Sequence, residues 1–171
     1  MAKIRIAGIT RESVSDGPGI RLVVFTQGCH HRCEGCHNPE TWDFEGGRMI
    51  ETSEIVKLVK ENPLLSGITL SGGEPFLQAE KLIPLVREVK DYGKNVVIYT
   101  GYTFEKLLEL GKKKPSVRKL LSGADYLIDG PFIKPLKTLN LPFRGSSNQR
   151  FIDLKKTFLQ GNIFEYRWEQ E

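Results

Sequence analysis

Residues 67–100 read GITLSGGEPFLQAEKLIPLVREVKDYGKNVVIYT. The stretch opens on a short β-prone run, residues 67–71, and closes on another, residues 95–100. Between them Leu82, Ile83, Leu85, Val86 and Val89 recur at helical spacing from Gln78 to Tyr92, with Pro84 as a point of kinking and Gly93 as the stop. A strand, a helix and a second strand make a βαβ unit, whose two strands run parallel. The same order continues in both directions. Upstream, residues 4–9 alternate apolar and polar like a half-buried strand, residues 21–26 (RLVVFT) are continuously β-prone, and Thr52 or Ser53 opens a helix to about Glu61. Downstream, residues 103–110 form a short helix, 117–121 continue helical character, and 125–129 (DYLID) read as a strand. Residues 130–171 show only short β-prone runs, at 150–154 and 157–159, and no long helix.

Continuously apolar strands suit a parallel sheet covered on both faces. A closed eight-unit barrel takes about 250 residues, and the chain has 171. The expected architecture is therefore α/β: an incomplete, open (βα) barrel of five or six mostly parallel strands with an irregular C-terminal tail, residues 1–171 forming one domain. Its open side would admit a large substrate. With 25 basic and 21 acidic residues the charge is a mild +4, too weak for a nucleic-acid surface. The Lys112–Lys114 run reads as solvated surface after a helix end at Gly111. No apolar run approaches membrane-spanning length, and no export signal is read in residues 1–28. Reduced cysteines without a targeting segment point to the cytoplasm.

In parallel sheets chemistry gathers at the C-terminal strand ends. Four informative loops fall there: a cysteine loop after residues 21–26, SGGEP after 67–71, TGY after 95–100 and DGP after 125–129. The first, residues 28–38, reads GCHHRCEGCHN and holds all three cysteines, Cys29, Cys33 and Cys36, spaced C-x3-C-x2-C, with all three histidines. An odd count argues against closed disulfides, and CEGCH matches a c-type haem attachment pattern that leaves Cys29 without a role. A structural zinc would need a fourth ligand, which His30 or His31 could supply. Three thiolates can instead hold three corners of a cubane iron–sulfur cluster, leaving the fourth iron open for chemistry.

The second loop, Ser71–Pro75, carries Gly72, Gly73 and Glu74. Two glycines let a backbone approach a ligand closely; their amides would face a carboxylate and Glu74 an ammonium. The alternative is a tight turn before a helix. Thr100 and Asp129, at neighbouring strand ends, either reach the same ligand or serve as local caps. His30 and His31 either tune a cluster as outer-shell groups or are exposed loop polarity. Trp42 and Trp168 read as packing residues.

The cysteine spacing followed by a strand-end GGE resembles the radical S-adenosylmethionine superfamily. The resemblance implies that Cys29, Cys33 and Cys36 ligate a [4Fe-4S] cluster whose open iron binds the amine and carboxylate of S-adenosylmethionine, which one electron cleaves to a 5′-deoxyadenosyl radical. It places Gly72, Gly73 and Glu74 at the methionine amine and the backbone of Gly35, Cys36 and His37 beside the adenine. No side chain is expected to act as an acid or base. Gly35 stands where many members carry an aromatic residue, and Tyr99 where some carry an acidic residue for a monovalent cation. SDGPGIRLVVFTQGC (Ser15–Cys29) and CHN (Cys36–Asn38) are similar to the glycyl-radical-enzyme activases. NPETWDFEGG (Asn38–Gly47) and DGPFIKPLKTLNLPFRGSSNQRFIDL (Asp129–Leu154) resemble the short activases that serve anaerobic ribonucleotide reductase more than the longer ones of pyruvate formate-lyase. What this implies is an oxidoreductase that makes a glycyl radical on the large reductase subunit, fed by a reduced flavodoxin or ferredoxin-like donor. The polar patch Arg144, Ser146, Ser147, Asn148 and Arg150 is then a candidate partner contact. A small-molecule radical enzyme, of the carboxy-deazaguanine synthase type, is the alternative.

Overall fold

The computed structural model describes residues 2–167; Trp168 lies outside them. Its strands are β1 (Lys3–Ser13), β2 (Arg21–Thr26), β3 (Arg48–Glu51), β4 (Gly67–Gly72), β5 (Asn95–Tyr99), β6 (Tyr126–Asp129) and β7 (Arg150–Asp153). The helices are α1 (Thr52–Glu61), α2 (Ala79–Asp91), α3 (Phe104–Lys113), α4 (Pro115–Gly123) and α5 (Leu154–Gln160). One sheet runs in the order β3-β1-β2-β4-β5-β6-β7. The central pairings β2–β4, β4–β5 and β5–β6 are parallel. Antiparallel pairings add β1 and then β3 at one edge and β7 at the other, which brings the sheet to seven strands rather than five or six.

The order β2-β4-β5-β6 never reverses direction. Right-handed crossovers then place every connecting helix on the same side of the sheet. Accordingly Leu22, Val24, Ile68, Leu70, Val96, Ile98 and Leu127 pack with the apolar stripes of α1 to α4 in one core. The alternate residues Val97 and Ile128 face the other way, with Phe151, against Tyr99, Tyr126 and Phe143. This single-sided winding is that of a (βα) barrel, left open because β3 and β7 end the sheet.

The helix-free face is closed at the N-terminal strand ends by Arg21. It is fully buried, and its guanidinium donates to Thr69 Oγ1 (2.7 Å), Ile68 O (2.6 Å) and Pro18 O (3.0 Å). Burial, against the weaker pull of Asp125, pushes its pKa down to about 10. The cavity described below therefore opens at the opposite, C-terminal end.

Two boundaries differ from the sequence expectation for physical reasons. Gly111 does not end α3; it is buried within it, and a Cβ there would come 3.0 Å from the Arg118 side chain, so the glycine lets α3 and α4 approach. Pro84 lies inside α2, as the periodicity placed it. The 157–159 run is helical, in α5: Asp153 caps the helix by accepting from Lys156 N (3.0 Å) and Gly161 closes it at φ 76°. Short edge strand β3, with three of its four residues exposed, gave no periodic signal.

Candidate active site

β2 delivers the chain into the cysteine loop, which is stapled shut at its base. Gly28 N donates to Thr41 O (2.7 Å) and Cys29 N to Trp42 O (3.3 Å). The buried Gln27 amide reaches the carbonyls of Glu40 (2.9 Å) and Asp43 (2.7 Å). Inside the loop Cys36 N donates to Cys33 O (3.1 Å), and Asn38 N donates to the Cys36 sulfur (3.4 Å). Arg32 and Gly35 take positive φ; Arg32 lies over the Trp42 ring at 5.8 Å.

The GGE loop after β4 lies against this loop. Gly73 N donates to Thr26 O (2.7 Å) and Glu74 N to Gly28 O (2.9 Å). A Cβ on Gly72 would come 2.6 Å from the Thr26 backbone, and one on Gly73 would strike the Gly28 carbonyl. The glycines thus let two strand-end backbones touch each other, and the Gly73 amide is already used by Thr26 O. Carbonyl oxygens of such a loop suit an ammonium.

Glu74 is fully buried. Its Oε1 accepts from His31 Nε2 (2.7 Å), Thr100 Oγ1 (2.7 Å) and Gly101 N (2.9 Å), and its Oε2 from Phe76 N (3.1 Å). The carboxylate therefore ties together the loops after β2, β4 and β5. Tyr102 adds a second tie: its hydroxyl lies 3.0 Å from His30 Nε2 and its ring meets His31 edge-on at 4.6 Å. The Nε2 atoms of both histidines are thus engaged by Glu74 and Tyr102.

A cavity of about 590 Å³ is lined by Cys29, Cys33, Cys36, Gly72, Gly73 and Thr100, among others. His37 lines it too, and Phe132 closes its side. Phe132 lies 5.4 Å from the His37 ring and 3.2 Å from where a Gly35 Cβ would be. The aromatic missing at position 35 is thus present from the loop after β6, a contact no local motif announces. Asp129 does not line the cavity. It is buried, accepts from Phe104 N (2.8 Å) at the start of α3, and pairs with Arg150 (3.1 and 2.5 Å), which also pairs with Glu105. The tail residues mostly knit their own loop: Asn148 donates to Pro131 O (2.8 Å) and Ser146 accepts from Ile133 N (3.3 Å). Arg144 alone of the proposed patch lines the cavity. Tyr99, its hydroxyl donating to Phe143 O (2.6 Å), has its pKa raised, chiefly by burial.

The donor set fits an iron–sulfur cluster. No three His, Cys, Asp or Glu side chains among the described residues converge tightly enough for one metal ion, yet all three cysteines line one cavity. A multi-iron cluster takes its ligands on different irons and needs no such point. Burial pushes the Cys29 thiol up against the opposing hydrogen bonds of the His31 and Arg32 backbone, and the Glu74 charge adds to the rise; a coordinating iron would supply the positive charge that favours a thiolate there.

Cysteine, glycine and aromatic loops meeting at the C-terminal ends of parallel strands define an iron–sulfur enzyme with a cofactor cavity beside its cluster. The 4Fe-4S single cluster domain family matches residues 15–152. The anaerobic ribonucleoside-triphosphate reductase-activating protein of Haemophilus influenzae is 38% identical over 144 residues, covering 80% of this chain and 89% of that one. Its counterpart from Enterobacteria phage T4 is 36% identical over 141 residues, covering 79% and 85%. The pyruvate formate-lyase-activating enzyme of Clostridium pasteurianum is 42% identical over 114 residues, 63% of this chain and 48% of that one. The chain belongs to the family of the anaerobic ribonucleoside-triphosphate reductase-activating proteins, radical S-adenosylmethionine enzymes with a [4Fe-4S] cluster.

Proposed function

We propose that this chain, as one radical S-adenosylmethionine domain, activates an anaerobic ribonucleoside-triphosphate reductase by creating a glycyl radical on its large subunit. The observation that carries the reading is the single cavity into which the cysteine, GGE and TGY loops converge at adjacent strand ends. Cys29, Cys33 and Cys36 would hold the cluster. When bound, the reduced cluster and S-adenosylmethionine supply a 5′-deoxyadenosyl radical able to take a hydrogen atom from a glycine Cα. Gly72 and Gly73 would border the methionine ammonium, and buried Glu74 behind them would supply the negative charge that favours it. Gly35, Cys36 and His37 line the adenine side, with Phe132 as its wall. Thr100 acts through Glu74; Asp129 holds α3 and β7 in place rather than touching the cofactor. Electrons arrive from a small reduced flavin or iron–sulfur protein in the cytoplasm. Among the described residues no helix is long and apolar enough to cross a membrane.

The test is anaerobic reconstitution with iron and sulfide, followed by reductant, S-adenosylmethionine and the reductase. An EPR doublet from a glycyl radical on the reductase is expected. Deoxyadenosine formation without any protein radical would move the assignment to a small-molecule substrate.

A further inference from the structure

Three loops from three strands meet on one carboxylate oxygen, Glu74 Oε1, and only one of the three donors belongs to the loop that carries the cysteines: His31. A carboxylate oxygen only accepts, so His31 Nε2 is the donor. Its ring is wedged as well as bonded. A Cβ on Gly101 would lie 2.5 Å from His31 Cδ2, and Tyr102 covers the ring edge. Hydrogen bonds to a buried charge are the strong ones. The backbone bonds from Gly73 and Glu74 seat the GGE loop on residues 26–28, before the first cysteine. His31 reaches it from between the first and second.

We propose that His31 is a positioning residue: through Glu74 it fixes the cluster-bearing loop against the GGE loop, so that position 31 governs how tightly S-adenosylmethionine is held without supplying a cluster ligand. This rests on the reading that the GGE loop grips the methionine end of the cofactor. It also gives His30 and His31 different jobs, since His30 touches Tyr102 and not Glu74.

The test uses the full chain as wild type, His31→Ala, His31→Gln and Tyr102→Phe. Amide hydrogen exchange in the metal-free proteins reads the latch directly at the amides of Phe76 and Gly101, which donate to Glu74. Iron content and the EPR spectrum of the reduced cluster read the ligand set, and titration of that spectrum with S-adenosylmethionine reads affinity. His31→Ala is expected to speed exchange at both amides about tenfold and to weaken S-adenosylmethionine binding by a similar factor, the scale of one hydrogen bond to a charge. Its iron content stays that of wild type. His31→Gln, whose amide can still donate, restores most of both effects, and Tyr102→Phe, which keeps the ring against His31 and loses only the exposed bond to His30, changes both by clearly less than His31→Ala. Unchanged exchange and affinity in His31→Ala would overturn the proposal, as would loss of iron without faster exchange. Failure of the wild type itself to bind S-adenosylmethionine would instead sink the cofactor assignment, with the exchange result still reporting on the latch.

Discussion

Gly73 and Gly93 are both glycines at the edge of an element, and they do different things. At Gly93 φ is +82° and nothing lies within 4 Å of a Cβ; Gly93→Ala meets only left-handed strain, about 1 kcal/mol. At Gly73 a Cβ would run into the Gly28 carbonyl and sit 3.0 Å from Thr26 O. Neither neighbour is a flexible side chain, so the backbones must part. Gly73→Ala is expected to cost about 2–3 kcal/mol, in the range of an overpacked core, and to weaken cofactor binding; Gly93→Ala leaves binding intact. Urea unfolding of the metal-free proteins checks the first part, and titration of the reconstituted ones the second. In the sequence Gly72 and Gly73 read as a close approach of the backbone to a ligand, whereas here they close on the neighbouring strand-end backbone. What they approach was not legible, because the partner, Gly28, lies 45 positions away in the chain and only the parallel register Thr26↔Gly72 brings it there.

At the level of elements, β7 is held on the sheet edge by Arg150, which links it to Asp129 on β6 and Glu105 on α3. Hydrogen bonding from Arg150 holds the Glu105 carboxyl below its ordinary value. Because the folded-state value is depressed, the stabilisation is present above the ordinary carboxylate pKa and is lost as pH falls through the lower one. The melting temperature of Glu105→Gln is therefore expected below that of wild type at neutral pH, with the gap closing in acid. Asp129→Ala removes both the Arg150 pair and the acceptor for Phe104 N; it should lower stability by about 2 kcal/mol while leaving S-adenosylmethionine affinity near wild type. A large loss of affinity in a folded, iron-loaded Asp129→Ala protein would return the residue to the cofactor site. The parallel strands were legible as elements because each is an apolar run between glycine-rich turns. Helix α5 was not: Thr157 and Phe158 are β-prone, and the cap by Asp153 outweighs their propensity.

For the whole molecule, the apolar core lies between the sheet and its helices and includes no cysteine, whereas the cysteine loop sits at the strand ends. Chelating the iron is therefore expected to abolish cofactor binding while leaving the far-UV circular dichroism spectrum nearly unchanged; collapse of that spectrum would show that the cluster is needed for the fold. The site itself is assembled from residues 28–38, 71–74, 99–102 and 130–149, in that order along the chain. During synthesis the three thiols leave the ribosome long before Gly101 and Phe132 exist to cover them. At translation rates of about 5–20 residues per second, the roughly 65 residues between Cys36 and Gly101 correspond to about 3–13 s. For that interval the newborn chain carries its three thiols before the later walls of the pocket have been made, so oxygen met in those seconds would reach thiols that the finished site encloses.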